Sequence, residues 1–372
     1  MTTEERRKSA AARLESVREI VLAHGWNSTV FQLLNPGLEY WISEEVDAVA
    51  GYVPYRNWWI VAGAPVAPIE RFSRRVAEFE TAARHRGARV AYFAAEERLE
   101  QLFAGSPGRS RVRLGAQPVY DPRIWDAALA GHASLRAQLH RARNKAVVVR
   151  EWPAARAAND PALRRCLEEW LERRGLPPLL FLTTPWTLDR LADRRVFVAE
   201  REGIAVGFLV SSPVPLRRWV LIEQIVRGSA APNGVAELMI DAAFRALVTE
   251  ADRITLGLAP LSELGAPDDG EAAPGWLRPW IAWAGVHGRR FYNFRGLESF
   301  KAKLGPVAWE PVWLISDTPR IGVGVLWATL AAFAGGKPAS FAFRALARAL
   351  RRDLARLGGR VAGSLCGPLR DP

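Results

Sequence analysis

Cysteine and histidine are scarce in this 372-residue chain, with two and five copies. Cys166 and Cys366 lie far apart, and neither belongs to a C-x-x-C or Cys/His cluster. That spacing excludes a disulfide framework and a zinc-ligand set. Long apolar runs are also missing. The longest, IGVGVLWATLAAFAG at 321–335, is shorter than the roughly 20 residues a helix needs to cross a bilayer. It reads as a core helix or an interfacial segment. The opening stretch, MTTEERRKSAAARLESVREIV, is polar and charged, unlike a signal peptide. A cytoplasmic protein is expected.

Positive charge, by contrast, is abundant. The formal net charge is +12, with 49% apolar and 24% charged residues. Such a chain buries a sizeable core. Its surplus suits an anionic partner: nucleic acid, an acidic membrane surface or a phosphorylated substrate.

Periodicity gives a mixed α/β reading. Residues 8–24 form an amphipathic helix with Leu14, Val17, Ile20 and Val21 on one stripe. STVFQLL, AVAGYVPY and NWWIVAG follow as short apolar runs with the pattern of consecutive antiparallel strands. IERFSRRVAEFETAARHRG is helical and ARVAYFAA is a strand. The order then recurs: helix PALRRCLEEWLERRG, a strand pair about Glu202-Gly203, strand RRWVLIEQIVR, helix NGVAELMIDAAFRALVTEA and strand DRITLGLAPLS. A Trp-rich helical stretch over 276–288, a helix at SFKAKLG and a last strand WEPVWLI complete the second unit. The predicted division is 1–130, 131–315 and a tail over 316–372. In the tail, Phe343, Leu346, Leu350, Leu354 and Leu357 form a stripe, with Arg344, Arg348, Arg351, Arg352 and Arg356 around it. A basic amphipathic helix of this kind suits a membrane surface or a docked terminus.

Four segments carry candidate chemistry. In IEQIVRGSAAPNGVAELMIDAAF, a strand feeds a helix through a small-residue loop, which makes a generic anion site. Asn233 is the expected N-cap and Gly234 follows it. Arg227 is a fixed fork for phosphate. Glu223 is placed to hold an ammonium or accept a proton; the plainer alternative pairs it with Arg227 at the strand end. In LGLAPLSELG, Ser262 lacks a G-x-S-x-G context and reads as a turn serine. HGRRFYNFRGLESFKAKLG gathers Arg290, Tyr292, Asn293, Lys301 and Lys303, a run of donors suited to phosphate, or a solvated face. GHASLRAQLHRARNKAVVVREW brings Arg136, His140, Arg141, Arg143 and Lys145 onto a basic helix, either an exposed face or a contact for RNA or lipid phosphate.

Taken in order, LRAQLHRARNKAVVVREW, RGSAAPNGVAELMIDAAF, TLGLAPLSELG, HGRRFYNFRGLESFKAKLG and WEPVWLI resemble the catalytic domain of the aminoacyl-phosphatidylglycerol synthases, or phosphatidylglycerol lysyltransferases. NSTVFQLLNPGLEYW, GYVPYRNWWIVAGAPVAP and RVAYFAAE extend the likeness over about residues 20–315. The resemblance implies a tandem GNAT-like α/β fold, here with a basic amphipathic tail and without the fused flippase. It implies transfer from aminoacyl-tRNA to the hydroxyl of an anionic phospholipid such as phosphatidylglycerol, on the inner face of the cell membrane, with no cofactor or metal. In that reading Glu223, Arg227 and Asn233 serve catalysis, while Gly234, Ser262, Arg290, Tyr292, Asn293, Lys301 and Lys303 bind substrate. The family pattern has an aspartate three residues before the arginine; here Gln224 stands there, next to Glu223. Strand neighbours face opposite ways, so Glu223 reaches that face only through a bulge or shift. The alternatives are a CoA-dependent N-acyltransferase, whose Q/R-x-x-G-x-G/A spacing is absent from RGSAA, and a non-catalytic module for acidic membranes or RNA.

Overall fold

The computed structural model describes residues 3–174, 177–264, 294–341 and 343–344. Twelve strands form one sheet among the described residues: β1 (Glu39–Ile42), β2 (Val49–Tyr55), β3 (Trp58–Ala62), β4 (Arg89–Ala95), β5 (Ser110–Tyr120), β6 (Val147–Trp152), β7 (Arg195–Arg201), β8 (Ile204–Val214), β9 (Trp219–Arg227), β10 (Arg253–Thr255), β11 (Ala259–Pro260) and β12 (Ala308–Ser316). The helices are α1 (Thr3–His24), α2 (Phe72–His85), α3 (Glu97–Phe103), α4 (Trp125–Gly131), α5 (Ala133–Arg143), α6 (Ala154–Asn159), α7 (Pro161–Arg173), α8 (Val235–Leu247), α9 (Phe294–Ala302) and α10 (Val323–Phe333). Spatial order is β1-β2-β3-β4-β12-β5-β10-β9-β8-β7-β6, with β11 on β5.

Alternating side chains bury both faces of this sheet. In the N-terminal half, Ile60 and Ala62 of β3 face α1 and α10, while Trp59 and Val61 face α2. In the C-terminal half, one core lies under α5 and α8 and another under α6 and α7. The α1 stripe is as expected, with Val17, Ile20 and Val21 buried. Helix α7 starts where Asp160 accepts from the N–H groups of Ala162 and Leu163, at 2.9 and 3.1 Å, with Pro161 at its first position.

The two halves share one unit: strand, loop, helix, parallel strand. In the first, α2 carries β3 to β4; in the second, α8 carries β9 to β10. This is the tandem GNAT-like α/β fold that the resemblance implies.

Several expectations are corrected. STVFQLL is not a strand: Val30–Leu34 forms a 3-10 turn buried on all sides, as its lack of polar alternation permits. DRITLGLAPLS is not one strand, because Gly257 takes a φ of +68 and parts β10 from β11. WEPVWLI, last in the second unit's sequence order, lies between β4 and β5 of the first half. The apolar 321–335 run contains α10, which packs Val325, Ala328 and Ala332 into the N-terminal core. No described helix is long and apolar enough to cross a membrane. The Trp-rich stretch, Cys366 and the tail stripe beyond Phe343 lie outside the described residues.

Candidate functional site

The site is built around the end of β9. Its ladder with β8 slips between Val210 and Ser211: Val210 faces Gln224, Ser211 faces Ile222, and Glu223 is the extra residue of a β-bulge. The bulge turns two consecutive polar side chains towards one segment, residues 177–194. The Glu223 carboxylate accepts from Nε of Arg194 at 2.9 Å. Gln224 accepts from the Thr187 hydroxyl and donates to the Pro185 carbonyl at 3.0 Å. Arg194 also donates to the carbonyls of Arg190 and Phe31, at 2.9 and 3.2 Å. Glu223 thus joins β9 to the N-terminal half.

Past the bulge the alternation is reset. Ile222 and Ile225 pack under α8 and Val226 under α7. Arg227 therefore shares the α8 side with Ile225. Glu223 and Arg227 are not the strand-end ion pair of the plainer alternative. The Arg227 side chain is exposed and makes no hydrogen bond or ion pair among the described residues.

The strand loses its second neighbour at this point. Trp219, Val220 and Leu221 pair with β10, but from Ile222 onwards no described strand lies on that side. The chain after β10 turns away at Gly257, and β11 joins β5. Lys301 fixes this departure. Its Nζ donates to the carbonyls of Leu256, Gly257 and Leu258 at 2.8, 2.7 and 2.9 Å. All three donors of the ammonium are used. Burial pushes the group down to about 7.

The loop after Arg227 is tightly held. Gly228 donates to Val206, and Ser229 N–H donates to the Glu169 carboxylate at 2.5 Å. That bond, with others, holds Glu169 below the usual carboxylate range. Asn233 is exposed and is not the N-cap of α8. Gly234 is, at φ +92, where a Cβ would collide with the Gln138 carbonyl of α5. Glu237, in the first turn of α8, is paired with Lys303 at 2.7 Å. Ser262 is buried in a turn and its Oγ accepts from Leu264 N–H at 3.3 Å.

The structure thus brings Glu223, Arg227, Asn233, Gly234, Lys301 and Lys303 around one strand–loop–helix unit. Lys301 and Lys303 are already engaged within the protein. Arg290, Tyr292 and Asn293 lie outside the described residues. Sequence reading missed Arg194 and Thr187. Their signal was weak, since both sit in an irregular segment whose partners are distant in the chain. No group of metal-ligating side chains occurs among the described residues.

The sequence pattern of the family described as "Phosphatidylglycerol lysyltransferase, C-terminal" matches residues 18–316. The chain belongs to that family. It is a transferase. A comparison with curated proteins finds no match. Among solved structures, the chain is similar to the C-terminal domain of an Agrobacterium fabrum protein assigned as lysylphosphatidylglycerol synthetase, with 23% identity and a TM-score of 0.72, covering 87% of this chain and 98% of that one. It is also similar to L-PGS from Bacillus licheniformis, with 22% identity and a TM-score of 0.71, covering 87% and 96%. A conserved Bacteroides thetaiotaomicron protein of unknown function follows, at 12% identity and a TM-score of 0.57 over 82% and 96%. These likenesses show the fold.

Proposed function

We propose that this chain moves an aminoacyl group from aminoacyl-tRNA to the hydroxyl of an anionic phospholipid such as phosphatidylglycerol, working at the inner membrane face. One observation carries the reading. Among the described residues, the last part of β9 has a free edge where the Arg227 side chain stands unpaired, whereas its counterpart β3 is paired with β4 over all five residues. The C-terminal half is therefore, among the described residues, the half with an open strand end beside a cation.

In the reaction, the lipid hydroxyl oxygen bonds to the aminoacyl carbonyl carbon and the ester bond to the tRNA ribose breaks. The hydroxyl proton ends on the leaving ribose oxygen. Activated-ester exchange needs no covalent enzyme intermediate. The protein's part is alignment, charge neutralisation and proton movement. Arg227 neutralises a phosphate or the developing oxyanion. Glu223 holds Arg194 through Oε1, and its Oε2, which has no side-chain partner among the described residues, is the acceptor offered to an α-ammonium. Gly234 sets the start of α8, the exposed Asn233 beside it offers its side chain to the same phosphate or oxyanion, and Ser262 and Lys301 set the facing turn. Lys303 acts through Glu237. The CoA reading is less favoured because a loop N–H suited to a pyrophosphate, that of Ser229, already donates to Glu169.

The test is reconstitution: purified protein, phosphatidylglycerol vesicles and a panel of aminoacyl-tRNAs, with lipids analysed by mass spectrometry. A tRNA-dependent aminoacyl-lipid is expected. Acetyl transfer from acetyl-CoA, with no aminoacyl-lipid, would overturn the reading.

A further inference from the structure

The basic segment over 131–152 splits into two classes of cation. Arg136 donates to the carbonyls of Leu129 and Ala130, and Arg143 is paired with Asp241 at 2.9 Å. Both are engaged within the domain. Arg141, Lys145 and Arg150 are exposed, as is His140, and none of their side chains makes a hydrogen bond or ion pair among the described residues. Neighbouring carboxylates offer these cations little. Glu151 is bound by Arg195 at 2.6 Å, Glu200 accepts from Trp152, and Asp241 is taken by Arg143, Arg245 and Trp125. Glu202 lies 3.8 Å from Arg201. The surplus on this edge is positive.

The topology joins the edge to the open end of β9. Val147 opposes Arg201, Arg201 opposes Ile204, and Gly207 opposes Arg227. Gly207 in turn opposes Ala199 and Ala199 opposes Val149, so Val149 of β6 is level with Arg227, three strands or about 14 Å away at ~4.8 Å per strand, and Lys145 lies just before the start of β6 at the same end of the sheet. Helix α5 closes the link. Its Gln138 carbonyl packs on Gly234, and Arg141 lies three residues on, along the same helix face.

We infer that the α5 C-terminal half and the β6 edge form a docking surface for an RNA phosphate backbone that leads to Arg227, through Arg141 and Lys145 and, on the α7 side of the edge strand, Arg150. The inference rests on the tRNA-dependent reading above and assigns its nucleic-acid contact. Charge complementarity favours a polyanion, and the side chains favour RNA over a bilayer. Between these cations the large exposed apolar side chain is Val148, at 51%, whereas interfacial membrane binding scales with contiguous buried apolar area.

The triple variant R141A/K145A/R150A tests this, with R84A/R89A on the N-terminal half as a control. Three quantities are read for each protein: filter binding of tRNA over a salt series, co-sedimentation with phosphatidylglycerol vesicles, and transfer kinetics. The triple variant is expected to weaken tRNA binding at least ~10-fold and to lower the salt slope by about 2, at about 0.7–0.9 for each phosphate left without its cation. KM for aminoacyl-tRNA rises while kcat at saturating tRNA and vesicle binding stay unchanged; the control matches wild type. Unchanged tRNA affinity overturns the inference, as does loss of vesicle binding in place of tRNA binding. Failure of the functional reading itself is seen separately, as absence of aminoacyl-lipid with the wild-type protein.

Discussion

The Glu223 carboxylate is held by Nε of Arg194 at 2.9 Å, with the two side chains only 5% and 2% exposed. Removing one partner leaves a buried charge uncompensated, which costs about 3–5 kcal/mol. Arg194→Ala and Glu223→Ala are each expected to lower the unfolding free energy by that order in urea titrations. Replacing both by apolar residues of similar volume recovers much of the loss. A cost below about 1 kcal/mol for either single change would contradict the role given to this pair.

Lys301 makes stability depend on pH. Burial depresses its folded pKa from 10.5 to about 7. Between those values the unfolded chain binds the proton more readily than the folded one, so stability rises with pH across that window. Below about 7 both states are protonated and this contribution is flat. The difference in unfolding free energy between wild type and Lys301→Met is expected to shift in favour of wild type from pH 7 towards 10.5. A pH-independent difference would place the titration elsewhere.

Gly234 needs its missing side chain twice over, for a left-handed φ of +92 and for its close approach to the Gln138 carbonyl. Gly234→Ala is expected to cost upwards of ~2 kcal/mol, through strain and displacement of α5 from α8. Gly87→Ala, also at positive φ but in open space, meets the backbone strain alone and should lose less. Thermal unfolding of the two variants checks the order.

Much of the fold was legible in the residues, and the exceptions have physical causes. The hairpin about Glu202-Gly203 and the strand–loop–helix run from Trp219 to Leu247 follow their periodicity. Strand β5 did not, because Gly115 and Pro118 interrupt it. It tolerates them where β12 supplies a register shift opposite Gly115 and a full ladder of partners. The site was half legible. Arg227 and Gly234 could be found because a strand, a loop and a helix start follow one another in sequence. The bulge at Glu223 could only be named as a condition, since two adjacent polar residues fit either face. Arg194 was hidden altogether: its acceptors, Phe31, Arg190 and Glu223, are gathered from three separate segments.

Arg227 is exposed and unpaired among the described residues, so its loss should leave stability within about 0.5 kcal/mol of wild type. The decisive measurement is the initial rate of aminoacyl-lipid formation by Arg227→Ala beside wild type, with unfolding curves recorded on the same samples. The expected result is an unchanged curve with transfer reduced at least ~100-fold, and little rescue by Arg227→Lys, which lacks the planar fork. A folded Arg227→Ala protein that makes the lipid at the wild-type rate would contradict the assignment of transfer to the open end of β9.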